Sequence, residues 1–425
     1  MKAISIFELV FFSVLLLPAI CFVIYFLSGY FINFNTLYFV FFLILLIFVF
    51  PSTLKTCSFA QKKYMLFFLV ANILALLGHV VNGEGLIEYF RTFSGFYFFI
   101  VIGWLLYYLY YKKDRLNRLN MLFIRAGLFI ATINLFQYLL LITDDLIIGS
   151  YSIVYDRYES IINYTTELNK DLADYVIIGY EYGEGLRPLG FFFDLHSQYY
   201  FPLMAIILIF FSGNGKLEKK NIMLIAYLFI TIFLSGVKSA IYSIVLILFF
   251  MYLFSENKKK YTKVVIVGGI IVVVWGINKL VTFLTSSTAI LELAQLWDHV
   301  LTLPFKLFVS YPITFFFGGS PSLRDDPDFY SEVYWVSILF YIGLLGFLVY
   351  IKSYKVYYLT KLKYNIEAFY VFLVFATSLM HYSVYNRGVN CFASALVFMY
   401  LFVYYENEQL IISQNRQLKS KDAES

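Results

Sequence analysis

The sequence predicts an all-α polytopic membrane protein of about twelve transmembrane helices, with both termini cytoplasmic and two long extracytoplasmic loops. Three observations predict it. The 425 residues are 61% hydrophobic and 22% aromatic but only 14% charged, and the mean hydropathy is +0.77, outside the balance of a soluble globular domain. Apolar runs of the roughly 20 residues needed to cross a hydrocarbon core of about 30 Å recur almost from end to end. Basic residues gather in alternate loops, as cytoplasmic loops do.

Taken in order, the runs place spans near residues 4–27, 31–50, 64–81, 95–111, 121–142, 191–212, 221–235, 237–254, 264–284, 334–351, 366–384 and 389–405. Lys2 precedes the first run and no Ala-x-Ala-like site follows it, so it is read as a span and not as a removed signal peptide. Only "LSGVKSA" separates the runs at 221–235 and 237–254, which form either a tight hairpin or one broken helix. No repeat divides the chain, so residues 1–405 are read as a single transmembrane domain and 406–425 as a polar cytoplasmic tail. Cys21 and Cys391 fall inside spans and Cys57 in a short basic loop. No pair of them suggests a disulfide or zinc-ligand spacing.

With the N-terminus inside, the loop at 51–63, "KKDRLNR", "GKLEKK", "NKKKYTK", "KSYKVYYLTKLK" and the tail carry most of the positive charge on the inner side. Nine of the 32 basic residues fall outside: Arg91, Arg157, Lys170, Arg187, Lys238, Lys279, Lys306, Arg324 and Arg387. The long loops, 144–190 and 285–333, are then extracytoplasmic and too long to be simple connectors. The first alternates acids with aromatics. In the second, Ile290, Leu293, Trp297, Val300 and Pro304 recur at helical spacing, which fits a short amphipathic helix lying in the membrane interface or a surface helix packed on the bundle.

Charges at the edge of a membrane are costly unless paired or facing water, and here they cluster at the outer ends of spans. Arg187 sits before the sixth span, Asp194 and His196 in its first turns, Lys238 in the tight outer turn, Glu332 at the mouth of the tenth span, and His381 and Arg387 in the last outer turn. If those ends converge, they make one outward-facing pocket. Arginine presents a planar fork suited to phosphate oxygens, each charge-assisted bond contributing roughly 1.5–3 kcal/mol. The cations Arg187, Lys238, Arg387 and Arg324 are therefore candidates to grip a pyrophosphate whose lipid tail stays in the bilayer. The alternative is that they pair with Asp194, Glu332 or lipid head groups as structural anchors. "GNGK" at 213–216 lacks phosphate-loop spacing, so no nucleotide is implied. "RDDPD" at 324–328 offers oxygen ligands but reads more simply as a solvated turn. His79 and His299 are lone histidines and read as structural.

Four segments resemble the O-antigen polymerase and ligase superfamily (Wzy-type), which are membrane glycosyltransferases acting on undecaprenyl-pyrophosphate-linked sugars. "RPLGFFFDLHSQYYF" is similar to the family's Arg-x-x-Gly-Phe segment, with Asp194 to His196 where a Pro-Asn pair is commoner. "LSGVKSAIYSIV" is similar to its Ser-x-Ser-Arg segment, with Lys238 in the arginine position. "GGSPS" followed by "SEVYWVSILFYIGLLGFLVYI" is similar to a Gly-rich turn, a His-Asn-x-Tyr-Leu stretch and a Gly-Leu-Leu-Gly span, with Glu332 in the histidine position. Arg387 lies in the outer turn where the family often has basic residues. The likeness covers mainly 185–245 and 310–390, while the first five spans match only in hydropathy.

The resemblance implies polymerisation of lipid-linked repeat units into O-antigen or capsular polysaccharide at the outer face of a bacterial cytoplasmic membrane. The growing glycan passes to an incoming unit and undecaprenyl pyrophosphate leaves, with no cofactor, metal or nucleotide. Arg187, Lys238, Arg387 and Arg324 would bind the pyrophosphate, Glu332 or His196 would take the acceptor proton, and Asp194 would orient its neighbours. The expected partners are the lipid-linked donor and acceptor, membrane lipids, a chain-length regulator and a flippase, and no nucleic acid. Glu332 in place of histidine favours a polymerase over a ligase. The rival of another class is a polysaccharide flippase or transporter, which is expected to show related halves and broken segments near the bilayer middle. A membrane acyltransferase is a weaker rival, because its intramembrane Asn or Asp with His is not evident.

Overall fold

The computed structural model describes residues 2–28, 34–142, 179–182, 185–188, 198–212, 218–234, 240, 243–247, 302–325, 329, 334–361, 366–379 and 388–424. Among them, four helices are long and apolar enough to cross a membrane: Ala3–Cys21, Phe59–Val81, Leu116–Phe136 and Trp335–Leu359. A fifth candidate is the pair Leu86–Phe96 and Phe98–Tyr111, bent by 41° at its junction. Leu37–Phe48, Tyr200–Phe211 and Ile366–Ser378 are apolar but shorter. The expected span at 264–284 and most of that at 237–254 lie outside the described residues. The all-α expectation needs one amendment, an antiparallel hairpin of two four-residue strands inside the stretch read as a loop.

The helices in chain order are α1 (Lys2–Ser28), α2 (Phe34–Phe48), α3 (Phe50–Leu54), α4 (Phe59–Val81), α5 (Leu86–Phe96), α6 (Phe98–Leu106) and α7 (Leu116–Ile142). The strands β1 (Gly179–Tyr182) and β2 (Gly185–Pro188) follow, then α8 (Tyr200–Ser212), α9 (Lys219–Leu234), α10 (Leu303–Ser310) and α11 (Pro312–Phe317). The chain closes with α12 (Tyr334–Ile351), α13 (Tyr357–Lys361), α14 (Ile366–Ser378) and α15 (Asn390–Glu424). α15 is one helix of 35 residues that runs on through the polar tail. The chain divides into two compact units: 1–45, 115–241 and 387–393 form the first, and 46–114, 242–386 and 394–425 the second.

In the first unit, phenylalanines from four segments lock α1 in place. The Phe11 ring meets Phe392 edge-on at 5.0 Å and Phe123 face-on at 5.6 Å, and Phe201 lies 6.1 Å away. Such pairs contribute about 0.5–1.5 kcal/mol beyond the area they bury. Glycine lets α7 and α8 touch, because a Cβ at Gly127 would sit 2.5 Å from the Ala205 Cβ. Glu8 of α1 and Arg118 of α7 form a two-pronged pair, with Nε donating to Oε1 at 2.7 Å and Nη2 to Oε2 at 2.6 Å.

The second unit is built around α4 and α12, which run antiparallel: the Tyr64 hydroxyl donates to the Val349 carbonyl at 3.4 Å. α4 has strong punctuation at both ends. Its N-terminus carries a reciprocal cap, in which Ser58 Oγ accepts from Gln61 N and Gln61 Oε1 accepts from Ser58 N at 2.9 Å. Its C-terminus closes on Gly83 at φ +73°, with Glu84 N donating to His79 O at 2.9 Å and Gly83 N to Val80 O at 3.3 Å. That bond pattern lets a left-handed glycine satisfy the last carbonyls. α6 runs into a π-turn, Tyr107–Tyr111, and Trp104 reaches out of it to donate to the Thr53 hydroxyl at 2.6 Å.

A candidate site at a broken helix

Three backbones meet without side chains between them at the C-terminal end of α4. α12 is broken at Gly343, whose φ of 64° and ψ of −176° lie in a region essentially restricted to glycine. The break frees carbonyls that the "GGSPS" turn takes up: Gly319 N donates to Tyr341 O at 3.2 Å and Ser320 N to Phe340 O at 3.0 Å. Gly318 and Gly319 are also left-handed, at φ +76° and +86°. A Cβ at Gly78 of α4 would lie 2.6 Å from Gly318 O, and one at Gly318 would lie 2.5 Å from Ile342 N. Each of these glycines is required by a close approach, so the turn, α4 and the break are in direct backbone contact.

A layer of short polar side chains covers this crossing. Asn82 Nδ2 donates to Thr314 Oγ1 at 3.3 Å and to Gly318 O at 3.1 Å, and the Thr314 and Ser320 hydroxyls lie 3.1 Å apart. Ser322 Oγ donates to Glu84 Oε1 at 2.6 Å, which ties the end of the turn to the loop after α4. Beside them His79 is buried, with Nδ1 2.8 Å from Ala75 O and Nε2 3.3 Å from Thr92 Oγ1. A carbonyl can only accept, so Nδ1 donates to Ala75 O, and the Thr92 hydroxyl partners Nε2. This agrees with the structural reading of His79. Among the described residues no group of three metal-ligating side chains occurs.

Of the residues singled out in the sequence, Asp194, His196, Lys238, Glu332 and Arg387 lie outside the described residues, as do His299, His381, "GNGK" and most of the amphipathic stretch at 290–304. Arg187 is described in its backbone, in β2 and in register with Tyr180 of β1. Arg324 is described likewise, in a 3-10 turn over Pro321–Asp325 that directly follows the glycine crossing. Arg187 belongs to the first unit and Arg324 to the second.

The described neighbours of the others are well anchored. Asp194 and His196 precede Gln198, which is buried and whose carbonyl accepts from Asn134 Nδ2 at 3.3 Å. Arg387 precedes Gly388, at φ +50°, where a Cβ would meet the Tyr38 hydroxyl at 2.5 Å. Glu332 precedes α12, whose Trp335 N donates to Leu379 O at 3.3 Å, and His381 follows Leu379 by two residues.

Two acids inside apolar runs are engaged in the packing. Glu8 counted only as part of a span, yet its carboxylate is the fixed partner of Arg118. Glu367 is buried at the start of α14, with Tyr400 near its carboxylate. The signal in both cases was an acid inside an apolar run, which is costly unless partnered. No family model, curated protein or solved structure matches this chain.

Proposed function

We propose that the protein is a bacterial inner-membrane glycosyltransferase of about twelve spans, both termini cytoplasmic, that polymerises undecaprenyl-pyrophosphate-linked repeat units. The observation that carries the reading is the placement of charge in the sequence: Arg187, Lys238 and Arg387, with Asp194, His196 and Glu332, all fall at the ends of apolar runs that the bias of basic residues assigns to the outer side. The compact packing of the Gly-rich turn against the Gly-Leu-Leu-Gly helix supports it, since these two segments carry part of the resemblance to the polymerase superfamily.

In this reading Arg187, Lys238, Arg387 and Arg324 neutralise the pyrophosphate as it leaves, and Glu332 or His196 removes the proton from the attacking sugar hydroxyl. Pyrophosphate is a good leaving group, so positioning and charge stabilisation suffice and no cofactor is needed. Single replacement of Arg187, Arg387 and Glu332, read as glycan ladders on gels, tests it. Collapse of the ladder to single repeat units at normal protein levels is expected. Full-length ladders from all three variants would dismiss the assignment.

A transporter or flippase is the second reading, and the break at Gly343 near the middle of α12, with the 41° bend between α5 and α6, is the observation that favours it. Gene deletion separates the two. Unlinked repeat units accumulating outside the membrane indicate a polymerase, and units retained inside indicate a flippase.

A further inference from the structure

We infer that the end of the second unit where α4 begins and α12 ends is a binding site for an anionic phospholipid, with its phosphate held by Lys63, Lys352 and Lys355. Lys352 Nζ stands 3.4 Å over the centroid of the Phe67 ring. Lys355 Nζ stands 5.2 Å from the Tyr405 ring and 5.6 Å from the Tyr404 ring. Lys63, one helical turn before Phe67, and Lys355 both lie close enough to Lys352 for their charges to interact. Two of the three like charges, Lys352 and Lys355, thus lie against aromatic faces, which attract cations without neutralising them. Among the described residues no carboxylate lies within 4.0 Å of any of the three, whereas nearby Lys112 has Glu406 at 3.6 Å. The group lacks an anion that nothing described in the protein supplies.

The surface above the lysines identifies the anion. Leu66, Leu69, Val70, Ile73 and Leu77 of α4 are all exposed and recur at three- and four-residue steps, a continuous apolar stripe along one face of the helix. It begins within one turn of Lys63. A phosphate at the lysines would carry acyl chains along that stripe, while a soluble phosphate would leave it uncovered. Exposed Tyr354 and Tyr358 flank the cluster, as amphipathic rings do at the boundary between head groups and chains. The inference rests on the membrane character of the chain and not on its proposed activity.

Native mass spectrometry of the delipidated full-length protein in a mild non-ionic detergent tests it, with titration by phosphatidylglycerol or phosphatidylcholine. The wild type is expected to retain phosphatidylglycerol preferentially. Each lysine changed to glutamine should weaken that binding about fivefold, and the triple variant K63Q/K352Q/K355Q on the order of a hundredfold. The variant K219Q/K220Q, which removes two exposed lysines of α9, should match the wild type. If the triple variant does not fold, the fivefold loss in K355Q alone carries the test. Glycerol phosphate at millimolar concentration should leave the adduct in place. Equal retention of the two lipids, unaltered affinity in the lysine variants, or full displacement by glycerol phosphate would each overturn the inference.

Discussion

Replacing Gly319 with alanine forces an L side chain into a left-handed backbone at φ +86° and aims its Cβ at the α4 backbone, at Gly78 and the nitrogen of His79. The conformational cost is about 1–2 kcal/mol. Overpacking against rigid backbone adds about 1–3 kcal/mol. The sum, roughly 2–5 kcal/mol, corresponds to a shift of about thirtyfold to several thousandfold in the folding equilibrium. Two control glycines separate these causes. Gly83 is also left-handed, at φ +73°, but a Cβ there has nothing within 4 Å, so Gly83→Ala should show only the conformational part. Gly85 has an extended backbone and open space and stands at the N-cap of α5, so Gly85→Ala should stay near the wild type, losing only the preference for glycine over alanine at a cap, below about 1 kcal/mol. Reversible unfolding by sodium dodecyl sulfate in mixed micelles measures all three. The order predicted is Gly319→Ala far below Gly83→Ala, with Gly85→Ala near the wild type. A Gly319→Ala variant that unfolds together with Gly83→Ala would refute the three-backbone crossing.

Other outcomes follow from single contacts. Glu8→Gln and Arg118→Gln should each destabilise the protein, and a double-mutant cycle should return a coupling of about 0.5–1 kcal/mol, held down because the Arg118 side chain is 56% exposed; zero coupling would mean the pair contributes nothing. Burial raises the Cys57 thiol above its ordinary range, while Lys62 and Lys112 pull it partly back. Maleimide labelling of Cys57 should therefore accelerate as pH rises toward 9, and Lys62→Gln should slow it about twofold at fixed pH, because the thiolate loses a stabilising cation. Faster labelling in that variant would contradict the geometry. Cys21 and Cys391 are buried, so Cys57 should be the cysteine labelled in the folded protein.

Much of the helical framework was legible because it depends on local hydropathy. The runs at 64–81, 121–142 and 334–351 have counterparts in α4, α7 and α12, and the start of α4 extends back to the polar cap at Ser58 and Gln61. α5 was not legible: "LIEYFRTFSGF" places Glu88 and Arg91 among its apolar residues, and such a run breaks the continuous hydropathy by which a span is recognised. The break in α12 was hidden for the opposite reason. "YIGLLGFLVY" is uniformly apolar, and what opens it at Gly343 is a pair of N–H donors, Gly319 and Ser320, more than twenty residues away. Hairpin β1–β2 shows two-residue alternation in "GYEYGEGLRP", but within a long polar stretch that pattern is indistinguishable from loop.

For the site, sequence singled out charges by cost and assigned them by resemblance. The "GGSPS" turn that leads to Arg324 is the part whose local geometry is now defined. Its polar partners, Asn82, Thr314 and Glu84, carry no signal in the sequence, because they are made adjacent by the glycine crossing and not by spacing.

The proposed activity is the joining of lipid-linked repeat units without help from a nucleotide or a metal. Purified protein reconstituted into phosphatidylglycerol-containing proteoliposomes, supplied with undecaprenyl-pyrophosphate-linked repeat units from its own cell and with a chelator present, is the direct measurement. A ladder of products with release of undecaprenyl pyrophosphate is expected, lost on Arg187→Ala and Arg387→Ala. Repeat units that cross the bilayer but remain single would contradict it and identify a transporter.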